Sequence, residues 1–274
     1  MAGQVLYFEK RFSMALSMDL GTIFEYLSPT QNLTLLPMKK TAISFLLFFL
    51  LLSSSMAQSI KGAWRSQQPN NSIASLIVAD DYLMIASYSV LNKYFDRTEG
   101  GPFTMQGDQM TYTTEFNTTD TSRINKSVVF TVVRKDDVLT LRGEDQELVW
   151  MLVDDAKKKP MAGTWHITGR AKEGTDEMMQ IHQTGTRKTL KILSGTRFQW
   201  AAIDPAVKGF YGTGGGTYEI KKGKYTEYIQ FFSRDRFRVG AELAFDWKLN
   251  DGKWDHSGKS SKGDPIHEIW EKIE

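Results

Sequence analysis

The chain repeats itself. Gly100 to Gly143 lies over Gly215 to Gly258 without a gap, at a constant offset of 115. Within that block Gly100, Gly101, Thr111, Phe116, Asp120, Arg123, Phe130, Asp136 and Gly143 meet identical residues at Gly215, Gly216, Thr226, Phe231, Asp235, Arg238, Phe245, Asp251 and Gly258. Outside it, Gly62-Ala63-Trp64 answers Gly163-Thr164-Trp165, and Trp150 answers Trp270 towards the end of each copy. A repeat of this kind constrains the fold more than any single motif, because one architecture has to satisfy both copies. It predicts two domains of one kind, residues 58–153 and 161–274. The charged stretch 154–160 between them ends in proline and reads as a solvated linker.

Each copy is written in strands. Leu190 to Ala202, Gly216 to Ile220, Lys224 to Phe232, Phe237 to Leu249 and Ile266 to Ile273 are rich in aromatic and β-branched residues. Turn signals separate them at Ser194-Gly195, Lys222-Gly223, Ser233 to Arg236 and Asn250-Asp251-Gly252. No stretch carries a sustained helical stripe, although Asp176 to Gln180 suits a short turn of helix. Many short strands with frequent turns predict an all-β fold. The Gly-x-Trp entry strand favours two tandem lipocalin-like (calycin-type) antiparallel barrels, with Trp64 and Trp165 buried and room inside for a small ligand.

The N-terminal fifth is of another kind. From Met38, Lys39 and Lys40 precede an apolar run from Ala42 to Leu52, and small residues lead to a cut after Ala57. That is the layout of a secretory signal over residues 38–57, too short for a transmembrane helix. Export to the periplasm or the extracellular space is expected, with no transmembrane segment in the mature chain. Residues 1–37 precede a complete signal and read as an upstream mis-start; the alternative is a disordered extension. Cysteine is absent, which removes disulfides and thiolate chemistry. The net charge of +2 gives no basic field for nucleic acid, so no nucleic-acid partner is expected.

The second copy carries a resemblance. It contains Lys191-Ile192-Leu193-Ser194-Gly195-Thr196-Arg197-Phe198-Gln199-Trp200, then Gly214-Gly215-Gly216-Thr217-Tyr218, Tyr225-Thr226-Glu227-Tyr228-Ile229 and a closing Glu268-Ile269-Trp270. In these motifs it resembles the bacterial exported lipocalin-like domains of unknown function, often described only as membrane or secreted proteins. The first copy matches in outline, with Met110-Thr111-Tyr112 in place of Tyr-Thr-Glu. The resemblance implies the barrel and export, and no activity.

Side chains alternate across a strand. Aligning Phe231 with Phe116 therefore puts Tyr225, Glu227, Ile229 and Phe231 on one face, and Phe237, Val239, Ala241, Leu243, Phe245 and Trp247 on another. Both read as barrel interior, joined by Phe198, Trp200, Tyr218 and Ile220. Glu227 stands out, because an inward carboxylate must be paired or neutral. It is either a structural hydrogen-bond partner near a barrel mouth or the polar anchor of a pocket. The candidate ligand-binding residues are Trp200, Tyr218, Tyr225, Glu227, Phe231, Phe245 and Trp247. Asp120 and Arg123, like Asp235 and Arg238, read as a turn-stabilising ion pair. His166, His182, His256 and His267 lack metal-ligand spacing, so no metal and no cofactor is expected. Gly212 to Gly216 lacks the sequel of a phosphate loop and reads as a glycine loop leading into a strand.

The functional expectation is an exported binding protein holding a small, partly apolar ligand in the second barrel. Two alternatives remain open at this point. One is a non-catalytic structural or adaptor module of the cell envelope; the other is a barrel enzyme using Glu227 as general acid or base.

Overall fold

The computed structural model describes residues 59–273 apart from Asn70, Lys158 and Asp176; the expected export signal and the segment before it lie outside the described residues. The first barrel is built from β1 (Gly62–Gln67), β2 (Ile73–Ala79), β3 (Tyr82–Ser89), β4 (Tyr94–Gln106), β5 (Gln109–Thr113), β6 (Phe116–Asn117), β7 (Ser127–Lys135), β8 (Val138–Arg142) and β9 (Glu147–Asp154). The second contains β10 (Gly163–Ala171), β11 (Met178–Gln180), β12 (Lys188–Leu193), β13 (Arg197–Asp204), β14 (Gly209–Lys221), β15 (Lys224–Phe232), β16 (Glu242–Asn250), β17 (Lys253–Lys259) and β18 (Pro265–Lys272). Neighbouring strands pair antiparallel, and β1 with β9 and β10 with β18 close two eight-stranded barrels in tandem. β6 continues the line of β5 beyond Thr113, and β11 is a short extra strand on β10. The turn of helix expected at Asp176 to Gln180 is thus a strand over Met178–Gln180, because its backbone is drawn into the β10 ladder.

The repeat is visible strand by strand. β3, β4 and β7 fall 115 residues before β13, β14 and β16, with matching ends. Trp64 and Trp165 are buried, and each indole donates to the carbonyl four residues back, Ile60 or Met161, at 2.9 Å. The shared Gly-Gly pair is a packing requirement. A Cβ on Gly101 would run into the Thr113 carbonyl, and one on Gly216 into that of Tyr228. A Cβ on Gly100 or Gly215 would lie 2.6 Å from the ring of Phe116 or Phe231 respectively. Gly212 to Gly216 therefore lies inside β14 and is no loop; glycine in a strand marks a close approach or a bulge, and the β14–β15 register shifts at Gly215/Gly216.

That bulge overturns part of the alternation. An extra residue reverses the facing of everything beyond it. Phe231, expected inside, turns outward onto the first barrel, and Phe232 takes the inner face. Phe237, also expected inside, is 79% exposed, because Arg236–Arg238 forms a 3₁₀ turn ahead of β16. Asp235 and Asp120 each cap such a turn, accepting from Phe237 N at 3.0 Å and Ser122 N at 2.9 Å. The expected Asp–Arg pair forms only in the second copy, Arg238 to Asp235 at 3.3 Å; in the first, Arg123 reaches Glu99 at 3.6 Å.

The barrels pack on each other through equivalent strands. The outward side chains Ile77, Ala79, Tyr82 and Met84 of β2 and β3 meet Leu190, Ile192, Ala201 and Ile203 of β12 and β13. Phe231 stacks on Tyr88 at 4.6 Å and lies 6.1 Å from Phe95; reciprocally, Phe116 lies 6.5 Å from Phe210, the counterpart of Phe95. When residue i meets j while j's counterpart meets i's, the contact is an isologous one, here within a single chain. These strands are buried on both faces, which is why Leu76 to Ala79 and Leu190 to Leu193 are nearly continuous apolar runs. Asp154, placed in the linker by sequence, ends β9 and fastens the β12–β13 turn. Its carboxylate accepts from Ser194 Oγ (2.9 Å), Gly195 N (2.7 Å), Thr196 N (3.0 Å) and Thr196 Oγ1 (2.6 Å). No helix among the described residues is long and apolar enough to cross a membrane.

Candidate functional site

Inside the second barrel, alternation on four strands brings ionisable groups to one level. β12 contributes Lys191, β15 contributes Tyr225 and Glu227, β17 contributes His256, and β18 contributes Glu268. Lys191 and Glu227 are 4% and 5% exposed. The Lys191 ammonium donates to Glu227 Oε1 at 2.9 Å, and the Tyr225 hydroxyl donates to the same oxygen at 3.0 Å. Lys191 Nζ lies 4.9 Å from the centre of the Trp270 ring, 5.0 Å from Trp254, 5.8 Å from Tyr225 and 5.9 Å from Phe198. Aromatic faces attract a cation at such distances, so the rings supply part of what the ammonium loses in leaving water.

His256 is buried against Phe245, ring centres 4.1 Å apart. Burial, then the neighbouring Lys191 cation, push its pKa below 6.5, and the Glu268 and Glu227 carboxylates offset this only in part. Neither ring nitrogen has a hydrogen-bond partner among the described residues; Nδ1 lies 3.5 Å from Glu268 Oε2, at the limit of contact. Glu268 accepts from Arg170 at 3.1 Å and from the Trp270 indole at 3.2 Å. Burial works against its ionised form, yet contact with His256 and the charges of Lys191 and Arg170 outweigh burial and hold its carboxyl at about 2. The Tyr225 hydroxyl is driven well above its usual range by burial and by the adjacent Glu227 carboxylate.

A cavity of about 500 Å³ opens above this cluster. Lys191, Glu227 and His256 form its floor, over tightly packed Trp165, Tyr225 and Trp254. Trp200, Phe232, Leu243, Phe245 and Ile266 supply apolar walls, and Arg170, Arg187, Arg238 and His182 also border it. A few placed polar groups in a mostly apolar cleft is the usual make-up of a small-molecule site. Two other hollows differ. The opening of the first barrel, about 380 Å³, is bordered by Arg97, Glu99 and Arg123. A groove of about 630 Å³ beside the linker is edged by mutually paired surface charges, Lys61 with Asp80 and Lys157 with Asp155.

The first barrel supplies an internal comparison. At the offset of 115, Lys191, Tyr225, Glu227 and His256 answer to Leu76, Met110, Tyr112 and Leu141. Strand pairing sets Leu148 opposite Leu141, as Glu268 sits opposite His256. Leu76, Met110, Tyr112 and Leu141 are buried in one apolar core. The same framework thus closes over uncharged side chains, so the charges of the second barrel are not required to form it. They carry a desolvation penalty that hydrocarbon at these positions would avoid.

Of the residues expected at a ligand site, Trp200, Glu227 and Phe245 line the cavity. Tyr225 lies beneath it as the partner of Glu227. Tyr218 is core, its hydroxyl donating to the Ser194 carbonyl at 2.6 Å. Trp247 packs half-buried against the same core without bordering the cavity, and Phe231 faces the other barrel. Lys191, His256, Glu268 and Arg170 were missed. Lys191 had a legible signal, being the one charge inside the apolar run Leu190 to Leu193. His256 and Glu268 share parity with the buried Trp254 and Trp270, two residues away in each strand.

No protein-family model matches the sequence, and no curated protein matches it.

Proposed function

We propose that the second barrel is the binding half of an exported protein and holds a small, partly apolar molecule in the cavity above Lys191 and Glu227. One observation carries this reading: a desolvated ion pair and a neutral imidazole lie under an apolar-walled cavity, at positions that the first barrel fills with leucine and tyrosine. Charges that do not serve folding, placed where a ligand could meet them, favour a role in recognition. The motifs shared with bacterial exported lipocalin-like domains support export, as does the signal-like segment from Met38 to Ala57.

The test uses a neutral apolar fluorophore, N-phenylnaphthylamine. Saturable enhancement of its emission is expected, and Ala202→Phe, which fills the cavity from one wall, should abolish it while the far-ultraviolet spectrum is retained. Absence of saturable binding to the unaltered protein would leave the scaffold or adaptor reading in front. Native mass spectrometry of the exported protein then looks for the molecule that occupies the cavity.

A further inference from the structure

We propose that the cavity floor captures an apolar aldehyde or ketone by reversible condensation with the amine of Lys191, an inference that rests on the second barrel being a binding site. The argument begins with hydrogen-bonding capacity left over. An ammonium has three N–H donors, and Lys191 spends one, on Glu227 Oε1 at 2.9 Å. Its other two hydrogens, the second oxygen of Glu227 and both nitrogens of His256 have no hydrogen-bond partner among the described residues. The two His256 nitrogens are fully buried in that state, which is rare because each such group costs free energy. The floor is therefore incomplete as it stands.

Charge then narrows what completes it. At the floor Lys191 is balanced by Glu227, and Glu268 by Arg170; of the other cations that border the cavity, Arg238 pairs with Asp235 and Arg187 lies over the Tyr211 ring. A head group seated on that floor would meet both carboxylates if anionic, and Lys191 if cationic. A neutral group that accepts from an ammonium fits, and a carbonyl oxygen on an apolar body is such a group. A carbonyl held within hydrogen-bond reach of an amine is also placed to react with it.

The reaction balances without a further reagent. Glu227 takes one proton from the ammonium, and the freed amine adds to the carbonyl carbon. The proton returns to the resulting oxygen to give a carbinolamine; a second proton then passes from the nitrogen to that oxygen, which departs as water while the freed nitrogen lone pair forms the C=N bond. Overall, ammonium and carbonyl give a protonated imine and one water, and Glu227 ends as the carboxylate it began as. The product keeps the positive charge within reach of the same carboxylate and the Trp254 and Trp270 rings. His256, uncharged beside Lys191, is placed to relay a proton between nitrogen and oxygen. A buried lysine beside a carboxylate in an aromatic cavity suits this chemistry, and the leucine at the same position in the first barrel makes that barrel an inert control.

The experiment compares naphthaldehyde with naphthylmethanol, which has the same body and cannot condense. Tryptophan quenching reports binding of either, since Trp200 and Trp270 border the cavity. Cyanoborohydride reduces any imine to a stable amine that peptide mapping locates. The expected result is stoichiometric labelling of Lys191 at aldehyde concentrations that leave exposed lysines unlabelled. Labelling should be lost in Lys191→Arg, which keeps the charge. It should also be lost in the pair Lys191→Leu with Glu227→Tyr, which takes the two residues the first barrel already folds around. If both naphthyl compounds bind and Lys191 is labelled no faster than exposed lysines, the capture proposal is overturned and the cavity reading stands. If neither binds, both fall.

Discussion

A lysine and a glutamate taken out of water together depend on each other, and their energetics belong to the pair. Removing one partner strands the other, which typically costs about 3–5 kcal/mol, whereas replacing both with well-packed neutral residues is often neutral or stabilising. Lys191→Leu alone should thus destabilise by about 3–5 kcal/mol. Adding Glu227→Tyr should recover most of that loss in urea unfolding. A double variant as unstable as the single one would show that the ion pair is not what Lys191 contributes. His256 predicts a pH dependence. Its folded pKa lies below the ordinary 6.5, so as pH falls through 6.5 the unfolded chain takes up a proton that the buried ring resists, and stability declines. Glu268 works on a lower window, its folded form holding a carboxyl at about 2 against 4.5, so its stabilisation is lost as pH falls from 4.5 towards 2. His256→Leu, which takes the residue of Leu141, should weaken the lower limb, since contact with His256 helps to lower Glu268, and should flatten the decline between 6.5 and 4.5. An unchanged slope over that window would mean the ring is not held neutral. Glu227 was legible from strand parity alone. Lys191 carried its signal as the lone charge in the apolar run Leu190 to Leu193, which was passed over because a strand lysine is read by habit as pointing to water.

At the scale of the element, alternation holds until a bulge interrupts it. The same run that placed Tyr225 and Glu227 correctly misplaced Phe231, since one register shift at Gly215/Gly216 exchanges the faces beyond it. The glycines that permit the shift were visible in the sequence; their role was not, because it depends on the carbonyl of Tyr228 and the ring of Phe231, one strand away. Phe237 failed for a local reason: Asp235 caps a 3₁₀ turn, and the strand starts only at Glu242. Closure into barrels was legible because the repeat demanded one architecture twice, and strand spacing with Gly-x-Trp entry allowed few. Phe231 now makes a prediction of its own. Phe231→Ala should destabilise the protein by about 3–5 kcal/mol, as truncation of a buried phenylalanine typically does. It should leave binding of N-phenylnaphthylamine in the cavity unchanged, because the ring stacks on Tyr88 of the other barrel. Loss of binding with stability intact would return Phe231 to the interior.

For the molecule as a whole, the contact between barrels decides how it unfolds. Ile77, Met84, Leu190 and Ile192 are each 2% exposed or less, so separating the halves would wet a core. Calorimetry should record a single cooperative transition for both barrels, and two resolved transitions would show that the interface is dispensable. The linker lysines suggested a solvated tether in the sequence. The interface escaped notice because apolar residues on both faces of β2 and β12 read equally well as ordinary core strands. The reciprocal contacts of Phe116 with Phe210 and of Phe231 with Phe95 give the chain the geometry of a homodimer whose two subunits are covalently joined. In a true homodimer every substitution is made twice, so a charge introduced into one interior must be tolerated in the other. Fusion removes that coupling: Leu76 and Lys191 are independent letters, and one half remains an oily keel while the other is free to accumulate costly chemistry.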